Sequence, residues 1–135
     1  MSTMIRFSAG GGRWLASVDD VLGVQASDDL RSLPDPLPGI AGVIDRDGDV
    51  VPVIRTLSSD GRHVLVVAHG DAVVGVLADE VSGVADVDPD AIGARPAGQS
   101  RPFVRAVHDE GSAVAYVLDA AEIVRCAADP TGGGS

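Results

Sequence analysis

The side chains able to do chemistry here are the carboxylates, three histidines and one cysteine, and their spacing decides what they can do. Asp45-Arg46-Asp47-Gly48-Asp49 sets carboxylates at alternate positions, as at the start of a calcium loop. Such a loop needs glycine at its sixth position and glutamate at its twelfth. Counted from Asp45, those positions hold Val50 and Thr56, so the stretch reads as a turn. Asp86-Val87-Asp88-Pro89-Asp90 fails in the same way, with Ala91 and Ala97 at the two positions. Gly10–Gly12 has no Gly-Lys-Ser/Thr after it and opens no helix, so it reads as a hairpin turn rather than a phosphate cradle. His63, His69 and His108 are scattered near turns, without a cysteine partner or an i, i+4 pair to hold a metal. Cys126 has no evident general base and reads as a buried free thiol. No G-x-S-x-G elbow is present. The spacing supports neither a catalytic constellation nor a metal or cofactor site, and an interaction module is the class that remains.

Composition narrows the class further. The chain has 135 residues, 45% of them hydrophobic, enough for one domain with a core of its own. Only Phe7, Trp14, Phe103 and Tyr116 are aromatic, so the core must be mostly Val, Leu, Ile and Ala, a β-branched bias that favours strands. The net charge is −10, and all ten basic residues are arginine. That balance opposes nucleic-acid binding, which rests on phosphate neutralisation, and keeps the protein away from anionic membranes. The N-terminal stretch lacks the apolar run of a signal peptide. No segment approaches the roughly 20 apolar residues needed to span a bilayer. A lone cysteine suits a reducing compartment. The expectation is a cytoplasmic protein without membrane insertion.

The elements that must position any site are short strands. Ile40–Ile44 and Val50–Ile54 flank the Asp45–Asp49 turn, a strong hairpin signal. Before it, Met4–Phe7 and Trp14–Ser17 are expected strands. Val18–Leu22 reads equally as one helical turn or as extended chain, and Ser27–Pro38 as a surface loop. After it come a turn at Ser58–Gly61 and strands Val64–Ala68 and Val73–Ala78 around His69–Asp71. The stretch Asp79–Val87 follows, with Val81, Val84 and Val87 expected inward. Asp88–Pro102 reads as a long connection. Phe103–Val107 and Val114–Leu118 form the last hairpin, across Asp109–Ser112. A short helix is expected at Asp119–Arg125, with Asp119 as N-cap and Arg125 suiting the negative end of the dipole. Residues 1–127 are expected to form one domain, and the Pro/Gly/Ser-rich Ala128–Ser135 a disordered tail. Many short strands with regular turns indicate an all-β sandwich or barrel. The strands fall into sets before and after about Ser58, which suggests two small barrels sharing one core.

Three stretches resemble a known family in order and spacing. GVIDRDGDVVPVI (Gly42–Ile54) is similar to G-V-I-N-L-R-G-x-V-x-P-V-V-D-L of the CheW-like domain, the adaptor of chemotaxis signalling. VVGVLADEVSGV (Val73–Val84) is similar to its V-G-L-L-V-D-x-V-x-x-V, and AYVLDAAEIV (Ala115–Val124) to its L-L-L-D-x-x-x-L ending. The resemblance runs from Arg13 to about Val124. It implies two five-stranded SH3-like β-barrels around a common core, with a short C-terminal helix. It also implies a non-catalytic adaptor that bridges a CheA-type histidine kinase and chemoreceptor tips, the receptor lying in a groove between the barrels. The alternative is a divergent scaffold that self-associates or serves another signalling partner.

The resemblance points to Val21, Val43, Ile44, Asp47 and Arg55 as partner-binding positions, Val21 by match to a receptor-contact position. Two departures stand out: Asp47 stands where the family usually has arginine, and Gly23 where it usually has the glutamate expected to pair with that arginine. Loss of both partners of a charge pair can be nearly neutral where loss of one is not. Arg55 replaces the family's aspartate, so a reversed pair between Asp47 and Arg55 across the hairpin is the expected substitute. Charge reversal at 47 would alter partner choice.

Overall fold

The computed structural model describes residues 2–32, 39–58, 60–94, 103–111 and 113–128. The expectations for the side chain of Cys126, for the tail from 129 onward and for parts of the two long connections lie outside the described residues.

Local sequence accounts for most elements. Ser2–Ala9 (β1) and Gly12–Ser17 (β2) form an antiparallel hairpin in which Ala9 faces Gly12. Its two linking residues, Gly10 and Gly11, have φ of 61° and 83°, the left-handed pair that matches the twist of the flanking strands. The ambiguous segment after it contains both alternatives. Val18–Asp20 is a 3₁₀ turn capped by the Ser17 hydroxyl, which accepts from Asp19 N–H at 3.3 Å, and Val21–Ala26 (β3) is extended. Ile40–Arg46 (β4) and Asp49–Ile54 (β5) are the expected central hairpin. His63–His69 (β6) and Ala72–Ala78 (β7) follow, then Glu80–Val87 (β8), a 3₁₀ turn at Pro89–Ala91 and the three-residue Ile92–Ala94 (β9). Val104–Asp109 (β10), Val114–Leu118 (β11) and the helix Ala120–Ala128 (α1) are the last of the described elements. Asp119 caps α1 as expected: its side chain accepts from Glu122 N–H at 3.3 Å, and its carbonyl from Ile123 N–H at 3.0 Å.

The strands form two sheets, β8-β1-β2-β11-β10-β9 and β3-β6-β7-β5-β4. This corrects the grouping around Ser58. The second sheet uses a continuous stretch that spans Ser58, and the first is built from both ends of the chain around it. Each sheet has one parallel junction, β2 with β11 and β5 with β7. Such non-local pairings carry no turn signal, so local pattern could not assign them. Both sheets curl. Arg31 beyond β3 bridges Val43 on the free edge of β4, with reciprocal N–H···O bonds of 2.8 and 2.9 Å. The edges of the first sheet, β8 and β9, are joined by a single 3₁₀ turn.

Alternation along the strands divides the apolar residues among three clusters. The central one lies between the sheets and under α1, and includes Phe7, Trp14, Ile54, Leu65, Val67, Val76, Leu118 and Ile123. Inside the first sheet lie Met4, Leu15, Val87, Ala106, Ala115 and Val117. Inside the second lie Ile44, Val51, Val53, Val64, Val66 and Leu77. Strand β6 therefore serves two clusters at once, which is why Val64–Val67 is an unbroken apolar run.

Bulges shift which residues face each cluster. In β8 the register with β1 slips between Arg6 and Phe7, so Val81 lies opposite Phe7 and Val84 opposite Ile5. Val81 and Val87 point inward as expected, but Val84 is 65% exposed on this edge strand. The bulge sets Val81 and Val84 on the same face, opposite Phe7 and Ile5, so the exposure of Val84 follows from its place on an edge strand rather than from a change of face.

One part-buried charge ties β1 and β2 to the β10–β11 turn. Glu110, 10% exposed in its side chain, accepts from Arg6 Nη1 at 2.6 Å, and Arg13 Nη1 and His108 Nδ1 approach to 3.7 and 3.3 Å. The Arg6 hydrogen bond holds the Glu110 carboxyl below its ordinary 4.5, outweighing the opposing effect of burial. A carboxyl whose folded pKa is depressed adds stability above its unfolded pKa and loses it as pH falls through the folded value. Wild type is therefore expected to exceed Glu110→Gln in stability at neutral pH. The gap should close as pH falls below about 4.5 toward the lowered folded value, as read from urea unfolding across pH.

Candidate protein-interaction groove

A surface groove lies at one end of the second sheet, where β3 and the β4–β5 turn meet. Asp47 and Gly48 make that turn with φ of 52° and 89°; aspartate tolerates this left-handed conformation better than most side chains do. Across from it, β3 bulges. Val21 pairs with Val67 and Gly23 with Val66, leaving Leu22 as the extra residue. The bulge takes Leu22 out of the ladder, exposes its side chain to 47% and leaves its carbonyl free. Arg46 Nη2 donates to that carbonyl at 3.0 Å.

The result is an open groove of about 520 Å³. Leu22, Val50, Val51 and Val73 supply its apolar lining, and Arg46, Asp47, Asp49 and Asp71 its polar lining. Val50 is 61% exposed because Val51 and Val53 take the inward positions of β5, leaving Val50 on the outer face.

The five expected partner-binding positions do not gather in this groove. Asp47 is on its rim. Val21 is half-buried beside Leu22 but packs toward the central cluster. Ile44 has no exposed surface and sits inside the second sheet, where it can support a surface but not form one. Val43 is half-buried and commits its backbone to the Arg31 bridge. Arg55 lies at the far end of the hairpin, donating to the Ile40 carbonyl at 3.0 Å.

That placement overturns the Asp47–Arg55 pair. In the β4–β5 register Arg46 faces Asp49 at the turn and Ile40 faces Ile54 at the opposite end. At about 3.4 Å per residue the two groups are roughly 20 Å apart. The ion pair that does form near the hairpin joins Arg31 to Asp45 at 2.7 Å.

The paired-loss reading also changes. A Cβ added at Gly23 would lie 3.2 Å from Arg46 Nη1, so a guanidinium does stand over Gly23, supplied by the neighbour of Asp47. Gly23 itself brings no carboxylate to it. Gly23→Glu is expected to fold normally, because the crowding atom is the movable end of a side chain, and to pair with Arg46. A double-mutant cycle with Arg46→Ala should give a coupling of about 0.2–1 kcal/mol in urea unfolding, the range of exposed pairs.

Leu22, Arg46, Asp49, Val50, Asp71 and Val73 line the groove without standing out in the sequence as partner-binding positions. One signal was available: two adjacent valines, Val50-Val51, in an alternating strand must put one of them outside. The bulge at Leu22 left no comparable trace.

Among the described residues, no helix is long and apolar enough to cross a membrane. Comparison with curated proteins gave no match. Among solved structures, the chain is similar to the scaffolding protein TtCheW from Thermoanaerobacter tengcongensis, at 19% identity and a TM-score of 0.77, over 87% of this chain and 84% of that one. At that identity the likeness speaks for the fold, and it agrees with the mostly β architecture in two sheets with one short C-terminal helix. The family model of the CheW-like domain matches residues 3–127, nearly the whole chain. The chain belongs to the CheW-like domain family.

Proposed function

We propose that the protein is a non-catalytic cytoplasmic adaptor of chemotaxis-type signalling that holds a CheA-type histidine kinase and chemoreceptor tips together through protein–protein contacts. The observation that carries this reading is the family match over residues 3–127, which supports a scaffold role in chemotaxis. The groove adds a surface suited to it. Leu22 and Val50 are two of the few large apolar side chains left exposed, and both lie at the same place.

Co-sedimentation of the purified chain with a CheA-type kinase and a receptor cytoplasmic fragment tests the proposal. Binding of both at micromolar concentration is the expected result. Leu22→Asp/Val50→Asp should weaken capture of at least one partner while the far-UV circular dichroism stays unchanged. Failure of the wild-type chain to bind either partner would overturn the proposal. A second reading, a family scaffold serving a different partner, is favoured by the three aspartates on the groove.

A further inference from the structure

We infer that the groove between Leu22 and Val50 selects a cationic partner segment, one in which arginine or lysine flanks an apolar side chain. The inference deepens the adaptor reading and rests on this groove being a partner surface.

The apolar part of the groove gives a place for one or two aliphatic side chains, because Leu22 and Val50 present outward beside Val73. Around it stand Asp47, Asp49 and Asp71, all exposed. Among the described residues none of the three makes an ion pair. Arg46, the basic residue on the groove, is held by the Leu22 carbonyl. Three carboxylates against one guanidinium leave the site net negative.

A bound segment that excludes water over Leu22 and Val50 lowers the dielectric around those carboxylates, so an anionic segment is rejected and a cationic one attracted. The net charge of −10 adds long-range steering of the same sign. It also rules against a second copy of this chain as the favoured occupant. The groove is not an enclosed cavity, which suits a chain segment rather than a buried small molecule.

The test uses a labelled synthetic peptide with arginines flanking a central leucine pair, and a matched peptide with glutamates in place of the arginines. Fluorescence anisotropy is measured against the full chain, against Asp49→Asn/Asp71→Asn, and against Asp28→Asn/Asp29→Asn, which removes the same charge from an exposed 3₁₀ turn elsewhere. The arginine peptide should bind. Loss of the groove pair should weaken it about tenfold, two- to fivefold per carboxylate, and loss of the remote pair by less than about twofold. The glutamate peptide should not bind. No binding of the arginine peptide, equal loss from the two charge pairs, or equal binding of the glutamate peptide would each overturn the inference.

The two proposals fail separately. Kinase and receptor co-sedimentation without peptide binding removes the charge preference alone. Peptide binding without co-sedimentation removes the assigned partners and leaves the groove chemistry standing.

Discussion

Trp14→Ala is expected to lower the stability of this chain by about 3–5 kcal/mol, a large part of the 5–15 kcal/mol typical of a domain. Trp14 is 2% exposed, at the heart of the central cluster. Its ring lies 6.3 Å from Phe7, 6.0 Å from Phe103 and 5.1 Å from Tyr116, so the chain's four aromatic residues meet at one point. The other residues of the cluster are aliphatic, so removing the indole leaves a cavity among side chains of fixed size. Trp14→Phe, which keeps a ring but less area, should cost clearly less. Urea unfolding followed by circular dichroism checks both, since the only tryptophan is then gone as a probe. A loss for Trp14→Ala below about 1 kcal/mol would mean that the two sheets do not depend on this cluster.

Gly61→Ala is the second large effect, for the opposite reason. A Cβ there would stand 2.3, 2.6 and 2.8 Å from the oxygen, carbon and nitrogen of Ala78, all backbone atoms at the end of β7. Backbone cannot step aside as a side-chain tip can, so the segment must lift. The neighbouring contacts resist that: Ser58 Oγ donates to Asp79 Oδ1 at 2.7 Å, and Asp79 Oδ2 accepts from Gly10 N–H at 2.9 Å. Overpacking of this kind costs about 1–3 kcal/mol or more. The comparison variant is Gly111→Ala, where the added Cβ meets nothing within 4 Å and only the left-handed φ of 89° is at stake. Gly61→Ala should be the more damaging of the two in thermal unfolding.

How much could be read without coordinates depended on whether the determining interaction was local. The β1–β2 and β4–β5 hairpins, the β10–β11 pair and the Asp119 cap were legible because turn residues and capping oxygens act within a few positions. The division at Ser58 failed because β5 meets β7 and β2 meets β11 in parallel, and a parallel junction has no turn to announce it. Strand β9 escaped notice because three residues between prolines give no period to detect.

At the groove the limits were finer. Asp47 was found through the family pattern. Arg46 has no such signal, because its place over Gly23 is set by the fold and not by its neighbours in sequence. Asp47 and Arg55 cannot pair because the β4–β5 hairpin puts its turn and its open end roughly 20 Å apart.

The order in which the strands are used has a consequence for how the protein is made. The second sheet, β3 through β7, is complete once residue 78 has been synthesised, and its pairings are confined to that stretch. The first sheet is not. Strand β2 emerges long before its parallel neighbour, Val114–Leu118. During synthesis the outer edge of β2 waits unpaired while some hundred residues are added, and the central cluster stays open until α1 arrives to cover it. Long-range closure of this kind is slow and leaves apolar strands exposed meanwhile. A truncated chain ending before β11 should therefore hold a formed second sheet beside an unformed first one, and aggregate from the β2 side.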